Sequence, residues 1–318
     1  MKMVVRAAFA AQRRKAAVHA VGCIGLAVLM LPGTAEAQFY CAKRPSASEV
    51  AALMAEAPLV PPPRPAVAPV HRSATRDATP PVGILAVFPR FLGGDPWPEM
   101  PIKYFVHSSA SDRTKLLELA IAEWEAKTVV RFKPIDANEA KVSPHFVVRG
   151  DKSGCFSRGL GYLKGGAAVI NLGKRCTAGN AIHEIGHRLG LMHEHQRSDR
   201  DQYIAFDWKH VNKAIKTWPE KDREERLYNL GYLADLWDEA INWLTTNHAT
   251  DYDLVSIMQY PPSLSDIGKI FEPTDGGRQS LSTRFGANAT QAVSKIGQRD
   301  CITQWDADAI NARYKGVR

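Results

Sequence analysis

Three histidines and one glutamate make the most specific chemical pattern in this chain, His183-Glu184-Ile185-Gly186-His187-Arg188-Leu189-Gly190-Leu191-Met192-His193. His183 and His187 are four residues apart, so on a helix their rings lie one turn apart on one face and can reach one metal ion. Glu184 stands beside them, where its carboxylate can hold a water next to that ion. Gly190 follows His187 by three residues, where a helix can end in the left-handed conformation that glycine tolerates best. The chain can then turn back and offer His193 as a third nitrogen ligand. Three protein ligands leave a tetrahedral position open to water, which separates a catalytic zinc from a structural one. Zinc in such a site lowers the pKa of its bound water and polarises a carbonyl. Glu184 would take the water proton and later pass it to the leaving group. His195 is a second candidate nitrogen, but the spacing favours His193 and leaves His195 in a supporting place. H-E-x-x-H by itself occurs by chance; Gly190 and His193 at fixed offsets sharpen it.

The extended string, followed later by a methionine turn, is the metzincin signature, and Ser256-Ile257-Met258-Gln259-Tyr260 is a candidate for that turn. The residues from His193 onward, H-E-H-Q-R-S-D-R-D, closely resemble the astacin family pattern. Trp97-Pro98, Pro101-Ile102-Lys103-Tyr104, Glu123-Trp124-Glu125-Ala126-Lys127-Thr128, Arg131-Phe132, Ser153-Gly154-Cys155 and Ile296-Gly297-Gln298-Arg299, with Asp306, Ile310-Asn311 and Tyr314, extend the resemblance over about residues 96 to 316.

That resemblance implies an α+β fold of metzincin type. Its N-terminal lobe would hold a twisted mixed sheet and two helices, one of them the zinc helix. An irregular C-terminal lobe would end in a helix, with the active-site cleft between the lobes. The resemblance also implies one Zn2+ on His183, His187 and His193, hydrolysis of protein or peptide substrates, and a floor of Met258 under the metal. Tyr260 would ligate zinc and swing out to stabilise an oxyanion, and Glu194 would receive the new N-terminus after removal of a pro-segment. A Cys155–Cys176 disulfide would precede the zinc helix. Arg197, Asp199, Arg200 and Asp201 read as a structural charge network. A strand just before the zinc helix would line the cleft floor, where a peptide could pair as an added strand. Family members often accept an acidic side chain after the cleaved bond through a basic pocket residue. Lys269, Arg278 and Arg284 are in the right region for it, and none stands out.

The elements that must position this site follow from pattern. Ile102 to Val106 and Phe146 to Arg149 read as strands, as does Val129 to Phe132. Leu160 to Leu163 and Ala167 to Leu172 could be strands or a hairpin. Asp112 to Ala126 reads as a helix with Leu117, Ile121 and Trp124 on one face and Ser111 as N-cap. Thr177 to Leu189 reads as the zinc helix. Residues 218–247 form an insertion before the methionine turn, in which Leu233, Leu236, Trp237, Ile241, Trp243 and Leu244 suggest an amphipathic helix. It would be either packed surface or a lid over the cleft.

The start of the chain points to export. Lys2, Arg6, Arg13, Arg14 and Lys15 precede an apolar run from Ala20 to Leu31 and an Ala35-Glu36-Ala37 cleavage site, which reads as a signal peptide over residues 1–37. The apolar run is too short to span a bilayer comfortably, so stable membrane insertion is not expected, and the product would be secreted or periplasmic. The full chain carries a net charge of +8. Without the leader 36 basic and 32 acidic residues remain, a mild excess that does not suggest nucleic-acid binding. Residues 38–95 read as a pro-segment or spacer, because their clustered prolines favour extended conformations and cannot build a core. Asp95 stands near where astacin pro-segments place a zinc-blocking aspartate, and reads more simply as a lead-in turn. Residues 96–318 read as the catalytic domain. Cys41, Cys155, Cys176 and Cys301 remain after the leader, and an even count in an exported chain implies disulfides. Cys41 has two open readings: a bridge to Cys301 tying the N-terminal segment to the C-terminal lobe, or a thiolate plug on the zinc. For function, a secreted zinc endopeptidase stands first. An exported zinc-fold binding protein without turnover stands second, and Glu184 argues against it.

Overall fold

The computed structural model describes residues 39–43, 45–46, 48, 51–52, 95–164, 168–197, 199–232 and 251–317. The expected signal peptide, most of the proline-rich segment and the apolar half of the insertion from Leu233 to Asn247 lie outside these residues.

A five-stranded sheet comes first. Its strands are β1 (Ile102–Val106), β2 (Phe132–Pro134), β3 (Phe146–Arg149), β4 (Cys155–Arg158) and β5 (Ala168–Leu172), in the order β2-β1-β3-β5-β4. All neighbours run parallel except β4, which pairs antiparallel with β5 from Cys155 opposite Leu172 to Arg158 opposite Val169. Alternate residues Ile102, Tyr104, Phe146, Val148, Ala168, Ile170 and Leu172 are buried, as the two-residue period of a strand with one covered face requires.

Two helices cover that face. Helix α1 (Thr114–Lys127) buries Leu117, Ala120, Ile121 and Trp124, the spacing of one helical stripe. Helix α2 (Ala178–Arg188) is the helix expected to carry two zinc ligands, His183 and His187. The Trp124 indole of α1 donates to the Ile182 carbonyl of α2 at 3.0 Å, so the two helices are keyed by a directional bond as well as by apolar burial. Helix α7 (Gln304–Tyr314) adds Ala307, Ile310 and Tyr314 to the same core.

The second core lies in the later part of the chain. It gathers Ile204 of β6 (Ile204–Phe206), Val211 and Ile215 of α3 (Trp208–Ile215), and Leu227 of α4 (Glu220–Asn229). The hairpin β7 (Ser263–Leu264) and β8 (Gly268–Lys269) comes next, and then β9 (Phe271–Pro273), which pairs with β6 and supplies Phe271. Helix α5 (Asp275–Phe285) adds Leu281 and helix α6 (Ala289–Val293) adds Ala292. Among the described residues this lobe joins short helices to two-stranded ladders and ends in the expected C-terminal helix.

Three local expectations shift. Helix α1 begins at Thr114, not Asp112, because the His107 ring accepts the Ser109 amide at 3.1 Å and draws residues 108–113 into a 3-10 turn. The strand expected over residues 129–132 begins at Phe132; Val129 instead gives its amide to the Asn311 side chain at 2.8 Å, and both Val129 and Val130 are buried. Leu160 to Leu163 is not a strand: the partner of β5 is β4, and Tyr162 makes only an isolated bridge with Asp95. Because β5 is paired on both sides, β4 is, among the described residues, the sheet edge beside helix α2.

Cys155 is bonded to Cys176 and Cys41 to Cys301. The second bond leaves no thiol at Cys41 to plug a metal. Residues 39–43 fall within the expected pro-segment, yet Tyr40 and Ala42 are buried and the Ala42 amide bonds the Ile302 carbonyl at 2.9 Å. Among the described residues, no helix is long and apolar enough to cross a membrane.

Candidate active site

Helix α2 starts and stops where its sequence dictates. The Thr177 hydroxyl caps the Asn180 amide, and the Asn180 side chain returns the bond to the Thr177 amide, closing a capping box. At the other end Gly190 has φ +98, with Gly190 N bonded to His187 O and Leu191 N to Gly186 O. That pair of bonds is a Schellman stop, and it reverses the chain so that His193 faces the helix.

The three imidazoles converge. His183 Nε2 and His187 Nε2 each lie 3.2 Å from His193 Nε2. Carbonyls set the tautomers of the first two rings. His183 Nδ1 donates to Ile257 O and His187 Nδ1 to Leu191 O, both at 2.8 Å. Carbonyls only accept, so both Nε2 atoms of these neutral rings present bare lone pairs. His193 carries at most one proton to share between them. Burial pushes His183 and His193 well below the usual histidine range and His187 down to about 4, and neighbouring positive charge adds to the effect. Neutral lone pairs crowded at this distance need a cation. Tetrahedral zinc with bonds of about 2.05 Å sets its nitrogens roughly 3.3 Å apart, so the donor set fits that metal.

The methionine turn lies under the site. Asp306, the N-terminal cap partner of α7, accepts from Ser256 Oγ at 2.5 Å, Ile257 N at 3.0 Å and Thr303 N at 2.9 Å. The C-terminal helix therefore holds the turn whose Ile257 carbonyl orients His183. Met258 is buried against α2. Tyr260 leaves the turn with its ring 4.5 Å from His193 and 4.2 Å from His195, centroid to centroid. Burial raises its phenol above the ordinary range.

Glu184 lines the same cleft as the three histidines and is buried. Burial raises its carboxyl to about 8, with Arg299 and Arg188 pulling against that rise. Glu194 lies elsewhere. It accepts from Arg197 Nη1 at 3.1 Å and from the Asp253 amide at 2.8 Å, and burial lifts its carboxyl to about 7 against the pull of Arg197. A small cavity of about 20 Å³ is lined by Glu194, Asp253 and Asp306. Arg197 also makes a two-pronged pair with Asp199 at 2.8 and 2.7 Å. Arg200 donates to His195 O and Gly231 O, so these arginines brace loops around the site.

The cleft itself, about 500 Å³, runs from β4 (Phe156, Ser157, Arg158) past the histidines to Glu225 and Asn229 of α4, Tyr260 and Arg299. The candidates for a basic pocket residue are not in its lining. Lys269 pairs with Glu272 at 2.8 Å, Arg284 with Asp253 at 2.6 Å, and Arg278 lies on α5. Arg299 lines it instead, its guanidinium held by the carbonyls of Gln259 at 3.1 Å and Gln298 at 2.7 Å. The Ile296-Gly297-Gln298-Arg299 string marked that arginine without assigning it a task. Nothing in the charged pattern of α4 marked Glu225.

Residues 93–238 match the family model for the astacin peptidases. Blastula protease 10 of Paracentrotus lividus is 29% identical over 224 residues, 69% of this chain and 32% of that protein. This chain therefore spans about a third of that relative's length. Astacin-like metalloprotease toxin 5 of Loxosceles gaucho is 31% identical over 136 residues, 42% of this chain and 70% of the toxin. A solved structure of high choriolytic enzyme 1 from Oryzias latipes overlaps at a TM-score of 0.49 and 24% identity, covering 72% of this chain and 96% of that one.

Proposed function

The chain belongs to the astacin family of peptidases, and from that premise we propose that it is an exported zinc-dependent endopeptidase. The convergence of three neutral ring nitrogens beside the Glu184 carboxylate carries this reading. Zinc, held by His183, His187 and His193, would supply a water of lowered pKa and polarisation of the scissile carbonyl.

The chain's own residues do the rest. Glu184 takes the proton of the attacking water and hands it to the leaving amine. Burial helps this carboxyl keep the proton until the leaving amine takes it, and the positive charge of zinc beside it would favour the ionised form that accepts the proton first. The Tyr260 phenol stays protonated and donates to the developing oxyanion. The substrate lies along β4, whose edge faces the cleft, and adds to the sheet by main-chain bonds. Arg299 receives an acidic side chain near the cut bond. Met258 packs beneath the helix that bears two of the ligands. Two disulfides support an oxidising destination, to which a signal peptide at residues 1–37 would send the chain. Cleavage within residues 53–94 would activate it and deliver a new N-terminus toward Glu194.

Hydrolysis of casein or a quenched peptide by the zinc-loaded chain tests this. Activity lost with a chelator and with Glu184→Gln, while that variant retains its metal, is the expected result. A metal-bound wild-type chain that cuts no peptide would leave the binding-protein reading standing.

A further inference from the structure

Helix α4 lies within the stretch read from sequence as an insertion, and it lines the cleft. Glu225 and Asn229, four residues apart and so on one side of the helix, line the cleft together with the histidines. Leu227, displaced by about 200° around the helix, is buried in the second core. One side of α4 is thus anchored and the other is offered to whatever occupies the cleft.

The wall is fixed to the metal-binding segment. His195 Nε2 donates to Asn229 O at 2.8 Å, Gln196 Nε2 to Tyr228 O at 3.1 Å, and Arg200 Nη1 to Gly231 O at 2.6 Å. These donors come from the string that follows the third histidine, so α4 keeps a constant position relative to the site. Further along, Arg226 is committed to an ion pair with Asp266. The Glu225 carboxylate is exposed, and no described side chain forms an ion pair or hydrogen bond with it.

We propose that Glu225 is a specificity-determining residue, which receives a lysine or arginine side chain of a peptide lying in the cleft. The inference rests on the peptide-binding reading of that cleft. A peptide extended along β4 projects alternate side chains in opposite directions, and one of them meets α4. The cleft then carries opposite charges at separate places, Arg299 at one and Glu225 at another, and selects a substrate with matching polarity.

Binding tests this without turnover. The zinc-loaded full chain carrying Glu184→Gln is titrated with fluorescent peptides, acetylated at the N-terminus, in which lysine, alanine or glutamate is placed in turn at each position. At one position lysine should bind about fivefold tighter than alanine, the size expected of a solvent-facing ion pair. That ratio should fall to about one with Glu225→Gln added and invert toward glutamate with Glu225→Lys. Each variant is read as its own ratio, and thermal melts check its fold. A lysine preference that survives Glu225→Gln, no preference at any position, or one seen only with an unblocked N-terminus would overturn the proposal. A wild-type chain that binds these peptides but does not cut them would refute the peptidase reading and leave the ratio to decide the role of Glu225.

Discussion

A methyl group added at Gly186 would lie 2.6 Å from the sulfur of Met258. Helix α2 therefore rests directly on the turn that carries Met258, and the glycine between His183 and His187 is what lets it approach. Trp124 closes the same space, with a ring carbon 3.4 Å from that point, and Met258 is buried, so the sulfur has little room to retreat.

Gly186→Ala sets two effects against each other. The substitution gains up to ~1 kcal/mol of helix propensity and incurs overpacking of about 1–3 kcal/mol. We expect overpacking to win, with a net loss of about 1 kcal/mol in urea unfolding and weaker zinc binding. Met258→Ala in the same background should recover part of the loss, with a coupling of at least ~0.5 kcal/mol in a double-mutant cycle. A Gly186→Ala protein as stable as the wild type would show that the turn is not a rigid support.

The convergence of the three histidines was legible because its information is local. His183, His187, Gly190 and His193 need only helical periodicity and one left-handed residue to converge. Leu117, Ile121 and Trp124 announced the first helix by the same periodicity, whereas its start was hidden, because the His107 cap is a side-chain bond that no apolar pattern records. The cleft walls were not legible. Residues 155–158 alternate weakly, and only pairing with β5 makes them an edge. Arg299 enters the site from 39 positions beyond Tyr260, and Glu225 is one acid among several on a charged helix. Both are placed by tertiary contacts alone.

Removal of metal should show whether the three rings bind it as a unit. At free zinc about a thousand times Kd, the folded state gains ~4 kcal/mol, so the chelated chain should melt at a lower temperature than the zinc-loaded one. Replacing any one of His183, His187 or His193 with alanine should remove most of that difference. Glu184→Gln should keep it while kcat falls about a thousandfold. Equal melting of the apo and zinc-treated wild type would argue that the convergent nitrogens hold no metal.

Tyr260→Phe keeps the ring packed on His193 and His195 and deletes only the hydroxyl. If that hydroxyl acts on the oxyanion, kcat and kcat/KM should fall together by roughly a hundredfold, with KM nearly constant. A rise in KM at constant kcat would instead make Tyr260 a ground-state contact with the substrate.

The Cys41–Cys301 bond makes the most distinctive prediction about processing. It spans 260 residues, and in the intact chain its loss should cost roughly 5 kcal/mol by loop-closure entropy, against roughly 3 kcal/mol for the 21-residue span of Cys155–Cys176. Cleavage anywhere within residues 53–94 would change its nature, because the loop is then open and the bond joins two chains. The cleaved N-terminal piece should stay attached, held also by Tyr40 donating to Asp300 at 2.6 Å and by Phe39 edge-on to Phe285 at 5.3 Å. Activated protein should therefore run as one species on a non-reducing gel and release a small fragment on reduction. Purification of an active form whose mass lacks the N-terminal piece without any reductant would show that the bond does not survive maturation.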